Sequence, residues 1–284
     1  MEEKMFRTQT LKVFILFMCV TILPNTISAY EGDGVVESGE ADMEELTRAT
    51  QNPVASMISV PIQNNTGFDY GPLDKTQNVT NIQPVIPFQL NEDWNLISRT
   101  IAPLIYQPKF FDGQDSKYGL GDIQQSLFLS PSKPGKFIWG AGPVFTLDTA
   151  TNDRLGTGKW SAGPSAVLIT MRGPWVVGAL IQNMWSFAGD SDRQSVNSML
   201  CQYFVNYNFS NGVYFTSAPI ITANWKADSG EKWTIPVGGG FGKLFRFGKL
   251  PVNTSIQAYY NVEKPDTLGP RWTLRCQAQF LFPK

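Results

Sequence analysis

Two pairs of carboxylates have the spacing that general acid–base catalysis would require. Glu92 and Asp93 are adjacent, and Asp190 and Asp192 are separated by one residue. Paired carboxylates cleave glycosidic bonds when their surroundings hold them in different protonation states. Both pairs lie in predicted turns or loops, where solvated carboxylates are ordinary. We therefore interpret them as surface residues.

The chain contains no histidine, which excludes several kinds of active site. Ser-His and Cys-His nucleophilic sites and imidazole metal centres all require this residue. Residues 238–243 are superficially like a phosphate loop, but Val237 occupies the first glycine position and Leu244 replaces the hydroxyl residue that would meet magnesium. We therefore expect no enzyme, metal or cofactor, and interpret the glycines as a strand kink or bulge.

The polar residues that alternate with apolar ones along predicted strands are candidates for the lining of a pore. They are Asn81, Gln83, Asn95, Arg99, Asp122, Gln124, Gln202, Asn206, Gln257, Asn261, Arg275 and Gln277. Uncharged amides dominate, so a strongly ion-selective pore is not indicated. Arg99, Arg275 and Asp122 would form either a charged constriction or salt bridges. The alternative is that all these groups only hydrogen-bond one another and fill a narrow interior.

The element that indicates a barrel most clearly is the last strand, because its residues alternate without a break. One face carries Trp272, Leu274, Cys276, Ala278, Phe280 and Phe282, and the other carries Thr273, Arg275, Gln277 and Gln279. A transmembrane β-barrel turns the apolar face to lipid and the polar face to its lumen. Cys201 and Cys276 both fall on outward faces, which favours two lipid-facing thiols over a disulfide.

The sequence predicts about twelve strands, most of them near the ten residues that a tilted strand needs to cross a membrane. They are Val54–Gln63, Val79–Leu90, Trp94–Tyr106, Gly119–Leu129, Phe137–Leu147, Lys159–Thr170, Trp175–Phe187, Val196–Phe209, Val213–Trp225, Lys232–Phe247, Val252–Val262 and Arg271–Phe282. Short turns alternate with longer loops, the first of which is predicted at Asn64–Gln77. This alternation predicts a closed antiparallel barrel whose termini are both periplasmic. Seven prolines inside the predicted strands, including Pro84, Pro219 and Pro236, would require bulges or breaks.

Three segments are predicted along the chain. Residues 1–29 have the positive start, the apolar stretch and the small-residue cleavage site of a signal peptide. Residues 30–51 are predicted to be an acidic periplasmic leader, mostly disordered, with one or two helical turns from Asp42 to Thr50. Residues 52–284 form the predicted barrel.

Several motifs resemble those of a known bacterial family. They include Asn52-Pro53-Val54-Ala55, Asn81-Ile82-Gln83-Pro84, Asp93-Trp94-Asn95-Leu96, Gly119-Leu120-Gly121-Asp122, Trp139-Gly140-Ala141-Gly142-Pro143 and Leu281-Phe282-Pro283-Lys284. The pattern resembles a family of outer-membrane transporter-like proteins related to the phenol meta-cleavage pathway protein, whose members are often mislabelled neuromedin U. The in-strand prolines belong to this pattern. The resemblance implies a transport function.

Two functions follow as hypotheses. The first is an outer-membrane channel of a Gram-negative bacterium for small solutes of aromatic or otherwise hydrophobic character. The second is a structural or surface-interaction barrel with a filled lumen. The expected partners are outer-membrane lipid, lipopolysaccharide and the barrel-assembly machinery. A formal net charge of -1 argues against nucleic-acid binding.

Overall fold

One helix precedes the barrel in the part of the chain that the computed structural model describes, which is residues 36–282 except Ser56, Pro134 and Lys249. Helix α1 (Val36–Thr50) is longer than the one or two turns predicted from Asp42. It ends just before Asn52-Pro53, because proline disfavours a helical residue before it. The predicted signal peptide and residues 30–35 lie outside the described residues. No helix among the described residues is long and apolar enough to span a membrane.

Antiparallel strands form the remainder of the unit that begins at Gly39. They are β1 (Ile58–Tyr70), β2 (Lys75–Ile82), β3 (Val85–Gln89), β4 (Trp94–Gln107), β5 (Lys117–Leu120), β6 (Ile123–Pro131), β7 (Phe137–Leu147), β8 (Lys159–Arg172), β9 (Trp175–Gly189), β10 (Asn197–Asn208), β11 (Val213–Ser217), β12 (Ile220–Asn224), β13 (Trp233–Phe247), β14 (Leu250–Glu263) and β15 (Trp272–Phe282).

These strands close into a twelve-stranded barrel, which confirms the predicted fold. β2 and β3, β5 and β6, and β11 and β12 are three single barrel strands, each interrupted at two residues. The ring closes because β15 pairs with both β14 and β1, from Ile58 opposite Phe282 to Phe68 opposite Trp272. We call the end of the barrel that holds Ile58 and Phe282 the turn end, and the opposite end the loop end.

The prediction of a long loop at Asn64–Gln77 is wrong. Residues 64–70 continue β1, β2 begins at Lys75, and only a tight turn connects them. The outward side chains of Asn64, Thr66 and Asn78 hydrogen-bond one another across the two strands, at 2.9–3.0 Å. Because these polar groups satisfy one another, they are tolerated on the outer wall. Their polarity hid the strand from the sequence pattern.

A second outward polar cluster is formed by Ser98, Thr100 and Gln125, which hydrogen-bond one another. The rest of the outer wall is largely apolar and carries an aromatic girdle at each end, as expected for a wall in contact with lipid. Exposed aromatics at the turn end are Phe88, Phe137, Trp139, Trp175, Phe209, Phe247 and Phe282. Those at the loop end are Phe68, Tyr118, Trp160, Trp185, Phe187, Trp225, Tyr260 and Trp272. Alternation in β15 is as predicted, since Arg275 and Gln279 are buried whereas Trp272 and Phe282 are exposed. Cys201 and Cys276 are free thiols.

Inward-facing apolar side chains fill part of the lumen. The buried cluster consists of Val54, Val85, Ile97, Phe128, Val167, Ile169, Val176, Leu180 and Phe204. Phe128 and Ile97 are wholly buried. Val54 follows helix α1, so the chain that leads into β1 packs inside the barrel against the strands. The apolar core therefore ties the leader to the wall.

Candidate functional site: the lumen cavity

A cavity of about 400 Å³ lies inside the barrel. Ten of the twelve residues predicted from the sequence line it: Asn81, Gln83, Arg99, Asp122, Gln124, Gln202, Asn206, Gln257, Arg275 and Gln277. Asn95 and Asn261 are buried but do not line this cavity. Asn95 lies in β4 beside the turn end, and Asn261 lies in β14 near the loop end, where it donates to the carbonyl oxygen of Pro270 at 2.6 Å. A pore-lining role stays a prediction for all twelve residues.

Arg275 of β15 is the most tightly held charge in the cavity. Its Nε donates to Asn65 Oδ1 at 2.9 Å, and its Nη1 donates to the carbonyl oxygen of Ala218 at 2.8 Å. The guanidinium carbon lies 5.0 Å from the centre of the Tyr259 ring, which is cation–π geometry. These contacts fix the guanidinium with neutral groups alone.

Arg99 of β4 is the second cation of the lining. Its Nη2 donates to Gln83 Oε1 at 2.9 Å, which joins β4 to the break between β2 and β3. A guanidinium carries five N–H donors in a planar fork suited to carboxylates. Arg99 thus brings to the cavity a cation with donors beyond the one that Gln83 accepts.

Asp122 lines the cavity but is bound to the loop between β7 and β8. Its Oδ2 accepts from the amide and the hydroxyl of Thr157, at 2.7 and 2.9 Å, and its Oδ1 accepts from the amide of Ala150 at 3.3 Å. Among the described residues no ion pair joins it to either arginine. Of the two predicted arrangements, the salt bridges are therefore not formed, and two cations face the cavity without a carboxylate partner.

The side of the cavity formed by β9 and β10 is partly apolar. Leu180, Leu200 and Phe204 line it there, across the ring from β1 and β2. These residues were not predicted from the sequence, because only polar side chains were considered candidates for the lining. The alternation that places Gln202 and Asn206 inside also places Leu200 and Phe204 inside, so the signal was present. The cavity is amphipathic as a result.

The end of helix α1 and the residues that follow it close the cavity toward the turn end, and we call residues 48–53 the closing segment. Asn253 Nδ2 donates to Thr50 Oγ1 at 2.9 Å, and Gln51 Nε2 donates to Asn208 Oδ1 at 2.8 Å. Arg48 Nη1 donates to the carbonyl oxygen of Gly173 at 3.1 Å. Thr50, Gln51 and Pro53 all line the cavity. A few polar contacts and the packing of the Val54 side chain therefore hold the closing segment in place.

The described residues contain no group of three or more His, Cys, Asp or Glu side chains that could hold a metal ion.

The structure combines a closed barrel, a largely apolar outer wall with two aromatic girdles and a polar lumen. Together they define an outer-membrane β-barrel protein of a Gram-negative bacterium. Its location is thus the bacterial outer membrane.

Residues 63–269 match the model of the family described as "Putative MetA-pathway of phenol degradation". The chain belongs to this family, as the sequence motifs predicted. No curated protein matches the sequence.

Among solved structures, the COG4313 outer membrane channel from Pseudomonas putida F1 is similar in fold. The TM-score is 0.63 at 15% sequence identity, over 81% of this chain and 97% of that one. The CymD monoaromatic hydrocarbon channel has a TM-score of 0.45 at 10% identity, over 91% of this chain and 95% of that one. Outer membrane phospholipase A from Escherichia coli has a TM-score of 0.39 at 10% identity, over 80% and 93%. Only the first similarity bears on the fold.

Proposed function

We propose that the protein is an outer-membrane channel for small aromatic solutes, above all those that carry a negative or hydrogen-bonding group. The observation that carries this proposal is the amphipathic cavity. Its apolar side, with Leu180, Leu200 and Phe204, suits a ring. Arg99 and Arg275 suit a carboxylate or a phenolic oxygen, because a guanidinium binds such oxygens with paired hydrogen bonds.

Family membership supports the same proposal. The family description refers to phenol degradation, and the similar structure from Pseudomonas putida F1 is described as an outer membrane channel. We infer that this chain transports rather than catalyses, since the sequence has no histidine and the cavity's one carboxylate, Asp122, is engaged by a loop. This proposal includes a signal peptide at residues 1–29. It also includes the barrel-assembly machinery and lipopolysaccharide as partners.

The structural barrel with a filled lumen is the second candidate. The apolar cluster around Phe128 and the closure by Thr50 and Gln51 favour it, because they occupy the turn end. The two candidates differ in one expectation. A channel must open when the polar contacts of the closing segment break, whereas a filled barrel has no passage to open.

The test is the influx of labelled benzoate into proteoliposomes that contain the full chain, because benzoate combines a ring with a carboxylate. We expect faster influx than into protein-free liposomes, with a larger sugar excluded. Influx equal to that of protein-free liposomes, for both the unchanged chain and a variant with a weakened closure, would favour the filled barrel.

A further inference from the structure

We infer that the outer wall carries an interface for a second copy of this chain, formed by outward polar side chains of β1, β2, β4 and β6. We call this surface the wall patch, and it consists of Asn64, Thr66, Asn78, Thr80, Ser98, Thr100 and Gln125. Two barrels would meet there inside the membrane, related by a two-fold axis along the membrane normal. Such a dimer is independent of which solute passes through the lumen.

The wall patch lies at the middle height of the wall. Asn64 is six residues from each end of β1, and Thr100 is six residues from the start of β4 and seven from its end. Gln125 is eight residues from the first residue of the strand formed by β5 and β6, and six from the last. The lipid-facing band of a membrane barrel is apolar and about 25 Å tall. Polar side chains at its centre are therefore costly and point to a function.

The wall patch is continuous across four neighbouring strands of the ring. β1 pairs with β2, β2 pairs with β4, and β4 pairs with β6. This pairing places Asn64 opposite Thr80, and Thr100 opposite Gln125. The patch is therefore a surface and not a set of isolated residues.

Outward polar side chains elsewhere in the described wall have local partners and form no such surface. The hydroxyls of Ser217 and Thr254 each donate to a backbone carbonyl oxygen, at 2.7 and 3.2 Å. Asn183 bonds to Asn197 and to the Trp225 indole of the loop-end girdle. Across the ring from the patch, the outward residues at the middle of β9 include the exposed Ile181. A connected polar group at middle height thus marks one side of the barrel.

Hydrogen bonds within the wall patch leave one donor unused. Asn64 and Asn78 exchange amide hydrogen bonds at 2.9 and 3.0 Å, and their remaining amide N–H groups donate to Thr80 and Thr66. In the other half of the patch, Gln125 Nε2 donates to Ser98 Oγ at 3.0 Å, and Thr100 Oγ1 donates to Gln125 Oε1 at 2.6 Å. The Ser98 hydroxyl itself donates to no described residue. Gln125 Oε1 has a second lone pair for another donor.

A second copy of the chain supplies the missing acceptor. Across a two-fold axis beside β4, the Ser98 hydroxyl of one copy donates to Gln125 Oε1 of the other, and the reverse bond forms by symmetry. A two-fold interface requires a surface that complements itself in this way. All seven side chains are uncharged, so the patch faces its own copy without repulsion. Lipid tails offer no acceptor, whereas the other barrel does.

Small side chains at the wall patch allow two barrels to approach closely. Pro84, whose carbonyl oxygen accepts from the Thr100 amide, and Ala102 are small neighbours of Thr100. In a membrane, association depends on close packing of small residues and on hydrogen bonds between chains, because lipid is as apolar as the protein. Four strands about 4.8 Å apart across a band about 25 Å tall present about 480 Å² per copy. The total of about 1,000 Å² reaches the size of a specific interface.

The test is energy transfer between donor-labelled and acceptor-labelled copies in liposomes at a low ratio of protein to lipid. The fluorophores are attached to Asp112→Cys, an exposed loop position, in a chain that also carries Cys201→Ala and Cys276→Ala. We expect transfer that reports a dimer, and Ser98→Ala with Gln125→Leu should weaken association by about tenfold. The matched control is Ser217→Ala with Thr254→Val, which removes two outward hydroxyls elsewhere in the wall and should leave association unchanged. If the first pair prevents folding, Ser98→Ala alone decides.

Cross-linking then locates the contact. In the same cysteine-free chain, oxidation of Thr100→Cys should yield a disulfide-linked dimer that dithiothreitol separates, whereas Ile181→Cys, across the ring at the same height, should yield little. Absence of energy transfer would overturn the interface, as would equal cross-linking at the two positions. A cross-link from Thr100→Cys to a different protein in outer membranes, with none between purified copies, would assign the wall patch to another partner and would also overturn it.

Discussion

Arg99 and Arg275 are the residues whose chemistry matters most to solute choice. Both are held by neutral partners, and the cavity's carboxylate, Asp122, is bound to a loop. Unit charges about 4 Å apart interact by ~4 kcal/mol near a protein surface, so even part of this attraction distinguishes an anion from a cation. The cavity should therefore favour anionic over cationic aromatic solutes of equal size.

Replacing both arginines by glutamine should remove that preference. We expect the ratio of benzoate to benzylammonium influx in proteoliposomes to fall by about tenfold, which corresponds to ~1.4 kcal/mol. Gln124→Asn is a matched control, since it shortens a neutral lining residue. An unchanged ratio would show that the arginines do not lie on the solute path, and loss of folding would show that they are structural.

The sequence could predict ten of the lining residues because their side chains follow the alternation of their strands. It could not predict which contacts they make. The bond from Arg275 to the carbonyl oxygen of Ala218 joins residues 57 positions apart and depends on the break in the wall. Asn95 has the right alternation but lies beside the turn end, and alternation alone carries no information about height in the barrel.

Helix α1 and the segment after it are the elements most suited to control passage. Replacing Asn208 and Asn253 by alanine would remove three side-chain hydrogen bonds to residues 50–51, each worth about 1 kcal/mol. We expect benzoate influx to rise several-fold as the closed state loses stability. Asn261→Ala, another buried asparagine of β14 but near the loop end, should leave influx unchanged. A rise in the control alone would contradict this role of the closing segment.

The last strand offers a direct check of wall register. Gln277 lines the cavity, whereas Cys276 is directed outward. In a chain that lacks the native cysteines, Gln277→Cys should react with a membrane-impermeant thiol reagent, while Cys276 in the unchanged chain should not. The reverse pattern would mean a register shifted by one residue, which exchanges the faces of the strand.

The strands themselves were predicted with unequal success, for physical reasons. β7 begins and ends where predicted, because both of its boundaries coincide with turn residues. The predicted first strand, Val54–Gln63, begins too early, because Val54 precedes β1 and packs inside the barrel. It also ends too early, and β2 was predicted to begin too late, since Asn64, Thr66 and Asn78 look like loop residues until their mutual hydrogen bonds are seen. Helix α1 was under-predicted because its stability depends on contacts with the barrel that composition does not reveal.

The whole molecule is a closed ring of strands, and closure has a measurable consequence. A barrel without edges resists detergent at room temperature. The mature protein should therefore fractionate with the outer membrane and migrate faster in gels before heating than after. Recovery as a soluble periplasmic protein would contradict the barrel. Closure could be predicted from strand count and turn pattern.

The current through the full chain in a planar bilayer, under a gradient of sodium benzoate, distinguishes a passage from a filled lumen. We expect brief unitary currents whose reversal potential lies toward that of benzoate. We also expect longer openings in the Asn208→Ala, Asn253→Ala variant, because the closing segment is then held less firmly. The absence of unitary current from both proteins would contradict the claim that the cavity is part of a passage, and the filled barrel would be the better description.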